Sequence, residues 1–226
     1  MKIIQIAIAT AALSFAPAVS ATVIESFETG GFGPTWVGSG ATVSAAGAHD
    51  GSFGVADSNS NWYYRTDPAA NISTGSTLSA WVRGGSGRMY LGFGASAAGA
   101  SSFVVGFNTN QLQFQNNDSY GFSTVTQAPY TFTRNHWYLS SVTFNAGSIV
   151  GNLYDSNGTT LLASLTATGL DHGATGGVAV RSFSGVNFDT ISISGATVPE
   201  PASWALMIAG FGLVGGAMRR RSVVAA

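Results

Sequence analysis

The chain of 226 residues has no cysteine, one lysine (Lys2) and only 8% charged residues. Without cysteine there can be no disulfide framework and no thiol nucleophile. Nine Lys and Arg residues, not gathered on any one folded segment, argue against nucleic-acid binding through phosphate contacts. Low charge together with 45% hydrophobic residues excludes a disordered polar chain. No stretch shows helical periodicity, and 30 glycines among many Ser, Thr and Asn point to strands and turns. What remains is one globular domain, long enough to bury a sizeable core.

The two ends differ from the middle. Met1 to Ala21 has one cation at the front, Lys2, then an apolar stretch from Ile3 to Phe15, then Ala18-Val19-Ser20-Ala21 with small side chains at the −3 and −1 positions. That pattern is a secretory signal peptide cut after Ala21 by signal peptidase, so the mature protein is expected outside the cytoplasm. At the other end Pro199-Glu200-Pro201 breaks regular structure. Trp204 to Met218 follows without a charge, and Arg219-Arg220-Arg221 closes it. A cationic cluster after an uncharged apolar stretch is how a spanning segment keeps its tail in the cytoplasm. As a helix the stretch would reach roughly 22 Å, short of a bilayer core of about 30 Å, so snorkelling arginines must extend it.

This end closely resembles the PEP-CTERM sorting signal of Gram-negative bacteria, in the variant with a Trp-Ala pair after the motif. Pro199, Glu200, Pro201, Ser203, Trp204, Ala205 and the three arginines carry the resemblance. It implies that an exosortase, an inner-membrane enzyme resembling a cysteine protease, recognises the tripeptide and removes the tail. The protein would be anchored transiently in the inner membrane, through this segment alone, and then reach the cell surface or an exopolysaccharide matrix. The expected organisation is signal peptide 1–21, a β domain 22–197, and a sorting segment 198–226.

In the middle segment nine acidic residues stand against five arginines, a net charge near −4. Alternation with period two recurs: Leu78, Ala80 and Val82; Met89, Leu91 and Phe93; Phe103, Val105 and Phe107; Leu112 and Phe114; Val142 and Phe144; Ile149, Gly151 and Leu153; Val178 and Val180; Ile191 and Ile193. Gly84-Gly85-Ser86-Gly87 and Asn108-Thr109-Asn110 read as hairpin loops, and Asn157-Gly158 as a type I′ turn. About a dozen strands then form two packed antiparallel sheets. The opening IESFETGGFGPTW, then AHDGSFGV, and the closing GGVAVRSFSGVNFDTISIS resemble the all-β jelly-roll sandwiches of the concanavalin-like and laminin-G-like families. The opening is equally similar to galactose-binding-type jelly rolls, such as many carbohydrate-binding modules.

Catalytic signatures are missing. The glucanase branch of the concanavalin-like fold carries Glu-x-Asp-x-x-Glu, which is absent, and the domain's only glutamates are Glu25 and Glu28. His49, His136 and His172 are scattered, and neither His-Glu-x-x-His nor Gly-x-Ser-x-Gly occurs. No catalytic residue is assigned. A structural calcium is expected from the jelly-roll resemblance, held by Glu28 at the first strand's exit, Asp50 in an Asp-Gly loop and Asp189 in the last strand. Sugar binding would use aromatic faces rimmed by polar side chains. Trp36, Trp62, Tyr63, Tyr64 and Tyr120 are the candidates, with Asn59, Asn61 and Arg65 beside the Trp-Tyr-Tyr run and a polar loop over Gln115–Tyr120. Trp81, Trp137, Phe27, Phe53, Phe103 and Phe144 are expected in the core. The preferred reading is a non-enzymatic surface or matrix protein that binds or organises polysaccharide. A polysaccharide hydrolase or lyase, and a purely structural surface protein, are its alternatives.

Overall fold

A computed structural model describes residues 21–56, 61–173, 175–195 and residue 211. The signal-peptide reading, Asn59 and nearly all of the sorting segment lie outside these residues. Among the described residues no helix is long and apolar enough to cross a membrane.

Among the described residues, fourteen strands form two antiparallel sheets. The eight-stranded sheet runs β12 (Leu161–Ala167), β11 (Ser148–Tyr154), β10 (His136–Asn145), β5 (Thr77–Gly84), β14 (Val186–Ser194), β3 (Gly54–Val55) and β2 (Val43–Ser44), with β1 (Thr22–Glu25) also on β14. The six-stranded sheet runs β4 (Tyr63–Arg65), β13 (Gly177–Phe183), β6 (Arg88–Ser96), β7 (Gly99–Gly106), β8 (Gln111–Asp118) and β9 (Ser123–Pro129). Two short 3-10 turns, Ala45–Gly47 and Pro68–Ala70, are the other named elements. This is the expected two-sheet jelly roll.

The core lies between the sheets and is built from the alternating positions. Leu78, Ala80 and Val82 meet Met89, Leu91, Phe93, Phe103 and Phe114 in one apolar cluster that also holds Phe27, Phe144 and Phe188. In β11 the inward position opposite Phe103 is Gly151. A Cβ there would sit 2.4 Å from the Phe103 ring, so only a bare backbone admits that phenyl group.

Four local expectations are corrected. Gly84–Gly87 is not a hairpin: β5 and β6 lie in different sheets, and the glycines carry the chain across the sandwich. β11 and β12 do pair, but Asn157 keeps an ordinary φ while only Gly158 is left-handed (+69°), which excludes type I′. Gln115–Asp118 belongs to strand β8, with the turn confined to the residues after it. Trp81 and Trp137 point away from the core. Leu78, Ala80 and Val82 fix the register of β5, so Trp81 falls on the opposite face, where His49 stacks on it at 3.8 Å and Arg83 lies over Trp137. Phe53 is likewise 36% exposed, whereas Phe27, Phe103 and Phe144 are fully buried.

Gly151→Ala is expected to cost about 1–3 kcal/mol, as overpacking does. Urea denaturation should show a lower midpoint with an unchanged slope.

Candidate functional site

The outer face of the six-stranded sheet is the candidate site. An exposed antiparallel face is usually polar, but here small residues carry aromatic rings. Ala95, Ala100 and Ala179 lie beneath Trp62 and Tyr90, and Tyr64, Tyr120 and Phe183 pack around them. Gly92 belongs to this floor, because a Cβ on it would meet the Ala179 side chain at 2.9 Å. Alternation in β4 sends Tyr63 inward, stacked on Phe32 at 3.8 Å with its hydroxyl accepting from the Ala41 N–H, and leaves Tyr64 facing out.

The turn after β8 folds back over this floor. Trp62 Nε1 donates to the Tyr120 carbonyl (3.2 Å), the Tyr120 hydroxyl donates to the Ser96 carbonyl (2.7 Å), and Asn117 Nδ2 donates to the Gly121 carbonyl (2.7 Å). Tyr120 thereby stacks on Tyr64 (5.7 Å) and leans on Trp62 (5.2 Å). Burial holds the Tyr120 phenol well above its ordinary range. Phe122, 57% exposed, covers Tyr90 at 5.5 Å and lies under the Arg181 guanidinium at 4.8 Å.

Beside the rings runs an amide ladder on β8. Gln113 donates to Gln111 and Gln127, Gln115 donates to Gln113 and Thr124, and Ser102 donates to Asn117. Arg88 closes it, donating to Asn108 (3.0 Å) and Gln113 (3.3 Å). Gln113, Gln115 and Asn117 are buried, and these bonds satisfy them.

The sequence candidates divide accordingly. Trp62, Tyr64 and Tyr120 come together on this face, whereas Tyr63 and Trp36 are core residues. Arg65 turns inward, pairs with Asp67 through two short bonds and donates to the Ile24 carbonyl, so it is structural. Asn61 is exposed and donates to Ser39. Tyr90, Phe122, Arg88, Arg181 and Phe183 were not anticipated. Their signal is parity: Arg88 and Tyr90, like Arg181 and Phe183, are two apart on strands whose other residues form the core.

The calcium candidates do converge on one loop. Both Glu28 oxygens accept from the Ser52 N–H and one from Phe53, and a Cβ on Gly51 (φ +68°) would strike this carboxylate. A bulge in β14 aims fully buried Asp189, which accepts from the His49 (2.7 Å), Asp50 (3.0 Å) and Thr190 (2.7 Å) amides. Asp50 lies 3.1 Å from His49 Nδ1. Two of the three carboxylates are thus committed to backbone N–H groups. Among the described residues no three acidic or His groups are disposed around one ion. The residues do not fit a calcium shell in this arrangement, and the clip that ties Glu28, past the first strand, and Asp189, in the last strand, to the 49–53 loop is made of amide–carboxylate bonds.

Burial raises the Asp189 carboxyl above its ordinary 3.8, against the pull of the three amides. The native state therefore holds that proton more tightly than the unfolded chain. This group's contribution to stability is greatest in acid and is lost as pH rises through the raised pKa. Asp189→Asn places an NH2 or an oxygen against donors that need two acceptors, and should lower stability by about 1–3 kcal/mol at neutral pH. The melting temperature of the unaltered protein should be the same with a chelator and with added calcium. A calcium-dependent rise would show that the loop rearranges around the ion.

The PEP-CTERM protein-sorting motif matches residues 197–221. No curated protein sequence matches the chain. Among solved structures, carbohydrate binding module CBM66 from Bacillus subtilis aligns with a TM-score of 0.54 at 14% identity, covering 71% of this chain and 96% of that one. The CBM2 module of the evolved Dit protein of Lactobacillus casei BL23 phage J-1 aligns at 0.51, with 11% identity over 78% and 97%. The exoplasmic/lumenal domain of VIP36, in a Ca2+/Man3GlcNAc-bound form, aligns at 0.50, with 12% identity over 75% and 90%. At such identities the likeness is one of fold. The chain is thus a jelly roll with the fold seen in carbohydrate binding module CBM66 and in the VIP36 domain, joined to a C-terminal PEP-CTERM sorting motif that implies an exported protein.

Proposed function

We propose that the protein is a non-enzymatic polysaccharide-binding protein of the cell surface or extracellular matrix, delivered there by signal peptidase and exosortase processing. The observation that carries this reading is the outer face of the six-stranded sheet, where Tyr64, Tyr120 and Phe122 offer ring surface beside hydrogen-bonding side chains held in place. Sugars present C–H faces to aromatic rings and hydroxyls to polar neighbours, and this arrangement supplies both. The fold likeness to carbohydrate-binding modules points the same way as an analogy only.

Catalysis has less support. Hydrolysis of a glycosidic bond needs two carboxyl groups about 5 to 10 Å apart across a cleft. Clefts of about 240 and 360 Å³ at the sandwich ends have no Asp, Glu or His in their lining. All three histidines contact an aspartate, in the pairs His49–Asp50, His136–Asp155 and His172–Asp118, which lie on separate parts of the surface.

Phe122→Ala and Tyr64→Ala should each weaken binding to a recognised polysaccharide about tenfold, or roughly 1.4 kcal/mol, by affinity electrophoresis or calorimetry. Leu161→Ala, on exposed β12 of the other sheet, should leave it unchanged. Absence of binding across a panel of bacterial exopolysaccharides, the producing strain's included, would remove the proposal. Protein recovered from the cell surface should have a mass lacking residues 1–21 and the tail beyond the Pro199-Glu200-Pro201 region. Full-length mass there would overturn the processing route.

A further inference from the structure

Three loops meet at one end of the sandwich: the crossover after β5, the β7–β8 turn and the segment between β9 and β10. Backbone hydrogen bonds stitch them together. The Asn108 N–H donates to the Gly87 carbonyl (3.1 Å), the Tyr130 N–H to the Asn110 carbonyl (2.8 Å) and the Asn135 N–H to the Gly84 carbonyl (2.9 Å). Between these loops lies the cleft of about 360 Å³. Its walls are fixed before any ligand arrives, which lowers the ordering cost of binding.

The floor of the cleft is apolar. Buried Phe107 and Phe132 line it with ring centres 4.7 Å apart, and Tyr130 and Tyr138 hold Phe132 edge-on from behind. Gly84 makes room for this floor, since a Cβ on it would lie 2.6 Å from the Phe107 ring. The rim is polar, with Asn108, Asn110, Thr131 and Arg134 all exposed. Asn108 Oδ1 accepts from Arg88, which leaves its NH2 to donate. The side chains of Asn110, Thr131 and Arg134 have no hydrogen-bond or ion-pair partner among the described residues, unlike the self-satisfied amides of β8. The next ionisable residue along the chain, His136, is taken up by Asp155.

A ring floor under a hydrogen-bonding rim suits a pyranose, whose C–H face is apolar and whose edge carries oxygens. The cleft is at the small end of ligand sites, so it admits a single residue rather than a run of polymer. Neutral sugars present as many hydroxyl hydrogens as oxygens and call for acceptors, of which a carboxylate is the strongest. Among the described residues no carboxylate lines the cleft, and its one charge is the Arg134 guanidinium, whose planar fork matches a carboxylate.

We infer that this end cleft is a second binding site, which takes the terminal residue of a glycan chain when that residue is an acidic sugar, its carboxylate on Arg134 and its ring over Phe107 and Phe132. The site uses none of the rings of the six-stranded face and does not depend on what that face binds.

The test titrates D-galacturonate, its uncharged methyl ester, acetate and the galacturonate trimer into isotopically labelled protein while backbone amide shifts are followed. Galacturonate should bind with a Kd on the order of 1–10 mM, at least about tenfold more tightly than the ester or acetate. It should move the amides of 84–87, 107–110 and 130–135 rather than those of 62–64 and 120–122. The trimer should bind within about fivefold of the monomer, because only its end enters. Arg134→Gln should abolish the preference for acid over ester, and Leu161→Ala should leave it unchanged. The acid–ester comparison needs no variant, so a poorly folded mutant does not blunt it. A smaller preference over the ester, acetate binding as tightly as the sugar, shifts confined to other residues, a trimer tighter by more than about fivefold, or no shift with any probe at about 50 mM would overturn this inference. Each of those results leaves the ring-face reading to be decided by the polymer panel and by Tyr64 and Phe122.

Discussion

Burial of every second side chain between the two sheets is the constraint on which the rest of the molecule depends. The chain has no disulfide to hold it, and six phenylalanines, 27, 93, 103, 114, 144 and 188, are fully enclosed. A one-residue slip in any strand would exchange its inner and outer faces. The inner set therefore dictates the outer one. Tyr90 faces outward because Met89 and Leu91 face inward, and Arg181 does so because Val180 is in the core. The candidate site is printed on the back of the hydrophobic core, and its geometry is as rigid as the core's register.

That outer face has its own packing problem. Rings lying on a sheet need small residues beneath them, which Gly92, Ala95, Ala100 and Ala179 provide. Amides shielded by those rings need partners, since an unmet buried donor or acceptor costs about 1–3 kcal/mol. The ladder meets this by passing each donor to the next acceptor, from Gln115 to Gln113 and from Gln113 to Gln111 and Gln127. A fully connected network specifies one arrangement rather than an ensemble. The hydrogen bonds from Trp62 and Asn117 to the turn after β8 extend the same order to Tyr120 and Phe122.

Local pattern was legible in the sequence, and pairing between distant segments was not. The period-two runs named the inward residues of β5, β6, β7, β8, β10, β11 and β13, and the Trp62–Tyr64 run and Tyr120 marked part of the binding face. Size misled where parity did not: Trp81 and Trp137 looked like core residues by bulk, yet each is one position from a residue of the core set, Val82 and Tyr138. Gly84–Gly87 resembled a hairpin because local sequence does not record which sheet the next strand joins. The clip linking Asp189 to His49 and Asp50 spans about 140 residues. Its three acidic members were identifiable from their positions, but the use of Glu28 and Asp189 as amide acceptors depended on loop geometry that composition does not encode.

Under the polysaccharide-binding reading, the scarcity of charge matters as much as its sign. With only 8% charged residues, most of the surface presents hydroxyls and amides, so repulsion away from the candidate face is weak and screened by salt over about 8–10 Å. Arg88 and Arg181 stand among aromatic side chains on that face, each with partners within the protein. Recognition there would then rest on ring faces and fixed hydrogen-bonding side chains rather than on net charge. Scarcity of charge, the first property visible in the sequence, thus leaves shape and hydrogen bonding to decide what that face can hold.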